Sequence, residues 1–169
     1  MFIEEAREEL ANGVLMVAQL LAGLTQTEAA SRPAPESWSA LEVVCHLYDE
    51  EREDFRQRLD IILHRPNEAW PPIDPRGWVT ARRYNERNLT ESLKGYMEER
   101  NFSLAWLKGL AAPNLEATVT SPFGAMKAGD MLAAWVAHDN LHIRQLVELR
   151  RARIVSLCQP YTVQYAGDW

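Results

Sequence analysis

Hydrophobic residues recur along this 169-residue chain at spacings of three and four, which is the pattern of amphipathic helices. Four segments follow this pattern, and no segment shows the alternation that predicts a strand. We predict helices over residues 2–24, 39–64, 90–110 and 128–153. The second begins with a capping box, because Ser39 and Glu42 have the required spacing, and Pro66 follows its end. Helices of about 20 residues are about 30 Å long, the element length of a four-helix bundle.

The lengths of the connections predict how the helices are arranged. Helices one and two are joined by about 14 residues, whereas residues 65–89 separate helices two and three. The second connection is too long for a hairpin and indicates a crossover, so that helices two and three run parallel. We therefore predict an all-α fold, a four-helix bundle with up-down-down-up topology, in a single domain over residues 1–169. The aromatic segment 158–169 is expected to pack back on the bundle.

Charge and composition exclude several classes of protein. The formal net charge is -6 and the basic residues are scattered, so nucleic-acid binding is not expected. The apolar stretch from Gly13 to Leu24 is too short to cross a bilayer, and the acidic N-terminal residues do not resemble a signal peptide. We expect a cytoplasmic protein without a membrane partner. The two cysteines do not form a disulfide framework, and Cys45 is expected to be a buried free thiol.

Two histidines four residues apart in helix four are the strongest candidates for chemistry. They belong to a heptad seam that faces the bundle core and consists of Met131, Trp135, His138, His142, Gln145 and Leu149. Side chains at this spacing lie on one face about 6 Å apart, so both imidazoles could bind one ion. A metal would also satisfy two imidazoles in apolar surroundings. The spacing alone arises readily by chance, however, and two structural core histidines are an equal alternative.

A third ligand would have to come from another helix, and His46 and His64 are the remaining histidines. His64 lies at the end of helix two and is expected to be exposed. His46 lies in the second turn of helix two, where the positive end of the helix dipole favours the neutral ring. On a helical wheel it shares the acidic side of the helix with Glu42, Asp49 and Glu53. The pattern leaves open a surface histidine paired with carboxylates or a ligand facing a pocket between helices.

Two motifs resemble those of a known family. The stretch WSALEVVCHLYDEE, from Trp38 to Glu51, resembles the helix-two signature of the DinB/YfiT-like family of metal-dependent proteins, although its glutamate positions match only approximately. The stretch AHDNLHIRQL resembles the family's helix-four His-x-x-x-His motif followed by Gln-Leu. The resemblance implies a four-helix bundle, often a homodimer, in which three histidines bind a divalent metal ion, usually nickel or zinc. Carried over residue by residue, these ligands are His46, His138 and His142.

Three histidine ligands leave at least one coordination position open, which is typical of a catalytic metal. The resemblance thus implies a metal-dependent enzyme that acts on a small molecule, either by transfer of a low-molecular-weight thiol or by hydrolysis. Two alternatives remain: a metal-binding or stress-associated interaction module without turnover, and a structural bundle with core histidines.

The catalytic residues are not identified by the sequence. The acidic residues Asp49, Glu50 and Glu53 are candidate bases only by proximity, and Asp139 is expected at the surface or beside the ligands. Among residues of the crossover, the aromatic side chains are expected to cover a bundle end rather than to line a pocket mouth, and two arginines are candidates for contacting an anionic substrate. These residues are Trp70, Trp78 and Tyr84, and Arg82 and Arg83.

Overall fold

The computed structural model describes residues 2–121 and 124–167, and most of them are helical. In chain order the helices are α1 (Phe2–Leu21), α2 (Gln26–Ala29), α3 (Ala40–Glu50), α4 (Arg56–His64), α5 (Pro75–Ala81), α6 (Leu89–Gly109) and α7 (Ala128–Leu157). A π-helical turn, Glu51–Phe55, joins α3 and α4 into one continuous helix two. The four predicted helices are confirmed as α1, helix two, α6 and α7. None of the described helices is both long and apolar enough to cross a membrane.

Helix two and α6 run parallel, as the long crossover between them requires. Early in both helices, Cys45 Sγ lies 3.4 Å from Ser92 Oγ. Later in both, Arg56 Nη1 donates a hydrogen bond of 3.0 Å to Ser103 Oγ. The contacts therefore advance together along the two helices.

Helix two and α7 run antiparallel, whereas α1 and α7 run parallel. The His46 ring contacts the His142 ring, and further along helix two the Phe55 ring contacts Trp135, which precedes His142. In α1, residue 13 lies against residue 139 of α7, and residue 20 lines a cavity together with residue 149. These directions confirm the up-down-down-up topology.

Two sequence-based expectations about the remaining segments are wrong. Between α6 and α7 the chain forms an antiparallel hairpin, β1 (Thr118–Ser121) and β2 (Gly124–Lys127), although no strand is predicted there. Its strands are four residues long, too short for alternation to be recognised in the sequence. The C-terminal segment does not pack back on the bundle over its described residues, since Tyr161 and Tyr165 are exposed. Asp168 and Trp169 lie outside the described residues.

A buried cluster of charged side chains joins all four long helices. Arg100 of α6 is fully buried. Its Nε and Nη2 donate to both carboxylate oxygens of Glu51 at 2.9 and 2.7 Å, and Nη2 also donates to Asp139 Oδ1 at 2.9 Å. Its Nη1 donates to the Leu10 carbonyl at 2.7 Å, and the Trp135 indole donates to Glu51 at 3.1 Å. The guanidinium therefore ties α1, the π-helical turn and α7 to α6.

The position of Asp139 in this cluster corrects the expectation that it lies at the surface. Asp139 is buried, and burial raises the pKa of its carboxyl group although hydrogen bonds from Arg100 act in the opposite direction. The close approach of α1 needs a glycine here, because a Cβ atom on Gly13 would lie 2.6 Å from Asp139 Oδ2. The cluster lies between two apolar clusters, one around Leu41 and Leu146 and one around Leu59 and Trp135.

We expect the substitution Arg100→Met to lower the free energy of unfolding by about 3–5 kcal/mol, because two carboxylates would be left buried without a cation. The matched control is Lys94→Met on the same helix. The Lys94 side chain is 73% exposed and pairs with Glu98, so its loss should cost about 1 kcal/mol or less. Urea unfolding of the two variants measures the difference. Equal destabilisation would contradict a central role for Arg100.

Candidate metal centre

His46 is buried because helix two is covered on both sides. One side of α3 packs against α6 and α7, and the other packs against α5 and the 3-10 turn Tyr84–Glu86 of the crossover. Every residue of α3 except Tyr48 is buried. The acidic side of the helical wheel therefore faces protein rather than water, and the interpretation of His46 as a surface histidine is wrong.

The carboxylates on that side mostly bind the crossover rather than the histidines. Asp49 accepts hydrogen bonds from Arg82 at 2.7 Å, Tyr84 at 2.8 Å and Arg52 at 2.9 Å. Burial alone would raise the pKa of Asp49, but these hydrogen bonds lower it. Glu53 binds Arg82 as well, at 2.7 Å. Asp49 and Glu53 are thus structural anchors, and Arg82 is already occupied by two carboxylates.

The other candidate residues of the crossover contact charged side chains rather than the histidines. Trp78 stacks on the Arg82 guanidinium at 3.9 Å, and Trp70 stacks on Arg58 at 4.7 Å. Arg83 is exposed and pairs with Glu86. None of these side chains is in recorded contact with a histidine of the centre within the described part of the chain.

The three predicted histidines come together between helix two and α7. His138 Nε2 lies 3.3 Å from His46 Nε2 and 3.1 Å from His142 Nε2. One ring nitrogen from each histidine lies within 4.8 Å of the others. His46 and His142 are buried, whereas the His138 side chain is 18% exposed, so solvent contacts the cluster on the His138 side. His64, by contrast, is half exposed at the far end of α4, as expected.

Burial keeps two of the rings neutral. Desolvation lowers the pKa of both His46 and His142 to about 3, and the neighbouring His138 contributes to the lowering in each case. A neutral imidazole has a free nitrogen lone pair, which is the form that binds metals. At neutral pH these two side chains are therefore in the state that a metal site requires.

Neighbouring side chains orient the rings. The Gln145 carbonyl oxygen lies 2.9 Å from His142 Nδ1, so Nδ1 carries the proton and Nε2 presents its lone pair to the cluster. The Trp38 ring packs edge-on against His46 and parallel to His142, and the Phe55 ring packs against His138. The sequence pattern places Gln145 on the seam but assigns it no role.

Two of the three separations between the ring nitrogens match those of ligands on one metal ion. Two nitrogens bonded at about 2.1 Å to one ion, at angles of about 90° to 109°, are about 3.0–3.4 Å apart. The separations of 3.1 and 3.3 Å fall in this range. Hydrogen bonds among the rings cannot satisfy the cluster, because His138 Nε2 is close to both other Nε2 atoms and could donate a proton to only one of them. In addition, His46 Nδ1 is buried without a hydrogen-bond partner.

Glu50 is the functional candidate that the sequence identifies least clearly. Its Oε2 atom lies 2.9 Å from His138 Nε2 and 3.5 Å from His46 Nε2, and its side chain is buried. Of the three acidic residues proposed from proximity, Glu50 is the one that faces the histidines. The available signal is its position four residues after His46, which places both side chains on one face of α3.

A cavity of about 510 Å³ lies between α1, α2 and the C-terminal half of α7. Apolar side chains such as Leu20 and Leu149 line it, with Arg150 and Arg153 at its edge. None of the three histidines is among its described lining residues, so this cavity is separate from the cluster.

Comparisons with known proteins agree with this structure. The model of the DinB superfamily matches residues 15–146. A solved structure, YfiT from Bacillus subtilis, superposes with a TM-score of 0.78 at 20% sequence identity, covering 88% of this chain and 86% of YfiT. It is described as "a probable metal-dependent hydrolase with an unusual four-helix bundle topology". No curated protein gives a significant match. Because the family model spans most of the sequence, including all three histidines, the chain belongs to the DinB superfamily.

Proposed function

We propose that His46, His138 and His142 bind a divalent metal ion and that the protein is a metal-dependent enzyme acting on a small molecule. The observation that carries this proposal is the convergence of three imidazole nitrogens within 4.8 Å of one another, two of the separations being 3.1 and 3.3 Å, around a partly exposed His138. A purely structural site would be closed, whereas this one is accessible from one side. Imidazole ligands suit both zinc and nickel, the two metals that we propose.

The chemistry depends on the metal and on how the protein holds it. A divalent ion held by the three histidines would supply Lewis acidity, the property by which metal sites activate water or thiols near neutral pH. Gln145 holds His142 in the required tautomer. Trp38 and Phe55 restrict the His46 and His138 rings and exclude water from their buried sides. The reacting group of a small substrate would approach from the side of His138.

Hydrolysis and thiol transfer both need such an activated nucleophile, and we propose hydrolysis first because YfiT is described as a probable metal-dependent hydrolase. Transfer of a low-molecular-weight thiol is the second candidate, on the resemblance of the two histidine motifs.

An activated ester tests hydrolysis, and an electrophilic arene with a free thiol tests transfer. We expect metal-loaded protein to accelerate one of these reactions and His138→Ala to abolish the acceleration. Loaded protein inactive towards both probes would favour a module that binds metal without turnover.

Metal binding itself gives a direct prediction. Untagged protein should bind one zinc or nickel ion per chain, and His142→Ala should weaken binding by more than about 100-fold, beyond the loss typical of outer hydrogen-bond partners. His64→Ala is the matched control, because His64 is exposed and distant from the cluster. Isothermal titration of the three proteins measures the affinities. A structural bundle predicts instead that no ion binds and that replacing His138 and His142 by leucine is neutral or stabilising.

The hydrogen bond between Gln145 and His142 gives a second prediction. Gln145→Leu removes the acceptor for Nδ1–H, so zinc affinity should fall about 10- to 100-fold while the fold is retained. Gln145→Glu keeps an acceptor and should retain the affinity of the unmodified protein. Equal affinities for the leucine and glutamate variants would show that this contact does not orient the ligand.

A further inference from the structure

Glu50 is the acidic side chain that the histidine motifs leave without a role. Its Oε2 atom is 2.9 Å from His138 Nε2 and 3.5 Å from His46 Nε2, and only 6% of the side chain is exposed. We infer that Glu50 is a fourth protein ligand, so that the ion is held by three nitrogens and one carboxylate oxygen. This inference rests on the proposed function, since it concerns the same ion.

The charge pairing of this protein supports the assignment. Six carboxylates are buried among the described residues, and five of them pair with an arginine. These five are Glu42 with Arg32, Asp49 with Arg82, Glu51 and Asp139 with Arg100, and Asp54 with Arg58. The sixth is Glu50, which among the described residues pairs with His46 and His138 and with no arginine. A buried carboxylate needs a compensating cation, and an ion at the histidine cluster would supply it.

The distances place Glu50 beside the ligand nitrogens. Two ligand atoms on one ion with bonds near 2.1 Å are about 3.0–3.4 Å apart. Glu50 Oε2 lies 2.9 Å from His138 Nε2 and 3.5 Å from His46 Nε2, separations close to this range, so a modest movement would bring it to a bonding position.

Helix geometry accounts for the pairing of Glu50 with His46. The two residues are four apart in α3 and therefore lie on one face, one turn from each other. The next residue, Glu51, points to Arg100 instead. Neighbouring glutamates thus serve different centres.

A four-ligand set restricts the ion. Four protein ligands complete a tetrahedral site, which is the closed arrangement of structural zinc. If a substrate is also to bind, the ion must accept five or six ligands. The inference therefore favours metals that adopt these higher coordination numbers during turnover.

The test is cobalt(II) and zinc binding by the untagged full chain and by Glu50→Gln, which keeps the shape of the side chain and removes its charge. Glu53→Gln is the matched control, a carboxylate on the same helix that pairs with Arg82. We expect Glu50→Gln to weaken cobalt binding at least about 10-fold and to shift the visible cobalt absorption spectrum, with Glu53→Gln like the unmodified protein. We also expect zinc to raise the melting temperature of Glu50→Gln less than that of the unmodified protein.

The outcomes separate this inference from the proposed function. If the unmodified protein binds neither ion, both fail. If it binds, and His142→Ala abolishes binding, but Glu50→Gln matches the unmodified protein in affinity and cobalt spectrum, only the role of Glu50 is overturned. Circular dichroism of each metal-free variant verifies folding. If Glu50→Gln is unfolded, Glu50→Asp replaces it, because the shorter carboxylate should also shift the cobalt spectrum. An unshifted spectrum would overturn the inference.

Discussion

The guanidinium of Arg100 lies where α1, helix two, α6 and α7 all come within hydrogen-bond distance of one side chain. In this buried position each of its nitrogens is bound, to Glu51, Asp139 or the Leu10 carbonyl. Sliding any of these helices by one residue would leave a buried charge unpaired, at a cost of several kcal/mol. Apolar packing alone tolerates such shifts better, because it is not directional. The charged cluster therefore fixes the heights of the four helices relative to one another.

The helix positions that Arg100 fixes also fix the positions of the histidines, because the two sets of residues are adjacent in the chain. Asp139 follows His138, and Glu51 follows Glu50, so the residues held by Arg100 are covalent neighbours of residues at the candidate metal centre. The π-helical turn that begins at Glu51 adds about one residue to the helical repeat. The Phe55 ring consequently lies against His138, where an uninterrupted α-helix would place an earlier residue. The centre owes its geometry to these backbone features as much as to the histidines.

The sequence predicts those parts of the structure that are periodic. The four helices, their topology and the inward direction of the seam all follow from spacing and loop length, and the resemblance supplies the third histidine. Burial of His46 could not be predicted from its helix alone, because it depends on the crossover covering a face that looks acidic. The burial of Asp139 and its pairing with Arg100 are likewise not predictable from the pattern, since Arg100 is 39 residues away in sequence. For Glu50 the sequence offers only its position four residues after His46, which does not distinguish it from the other acidic residues of this helix.

The histidine cluster is locally unfavourable, which is itself informative. His46 Nδ1 is buried without a partner, three imidazole nitrogens crowd one point, and Glu50 lacks an arginine. Apolar residues at these positions would normally give a more stable core. Elsewhere among the buried carboxylates of the described chain, each charge has an arginine. Several such violations concentrated in one cluster are expected at functional sites. A single divalent ion would account for the crowded imidazole nitrogens and for the unpaired charge of Glu50, although not for His46 Nδ1. A purely structural role for the histidines explains neither of these two features.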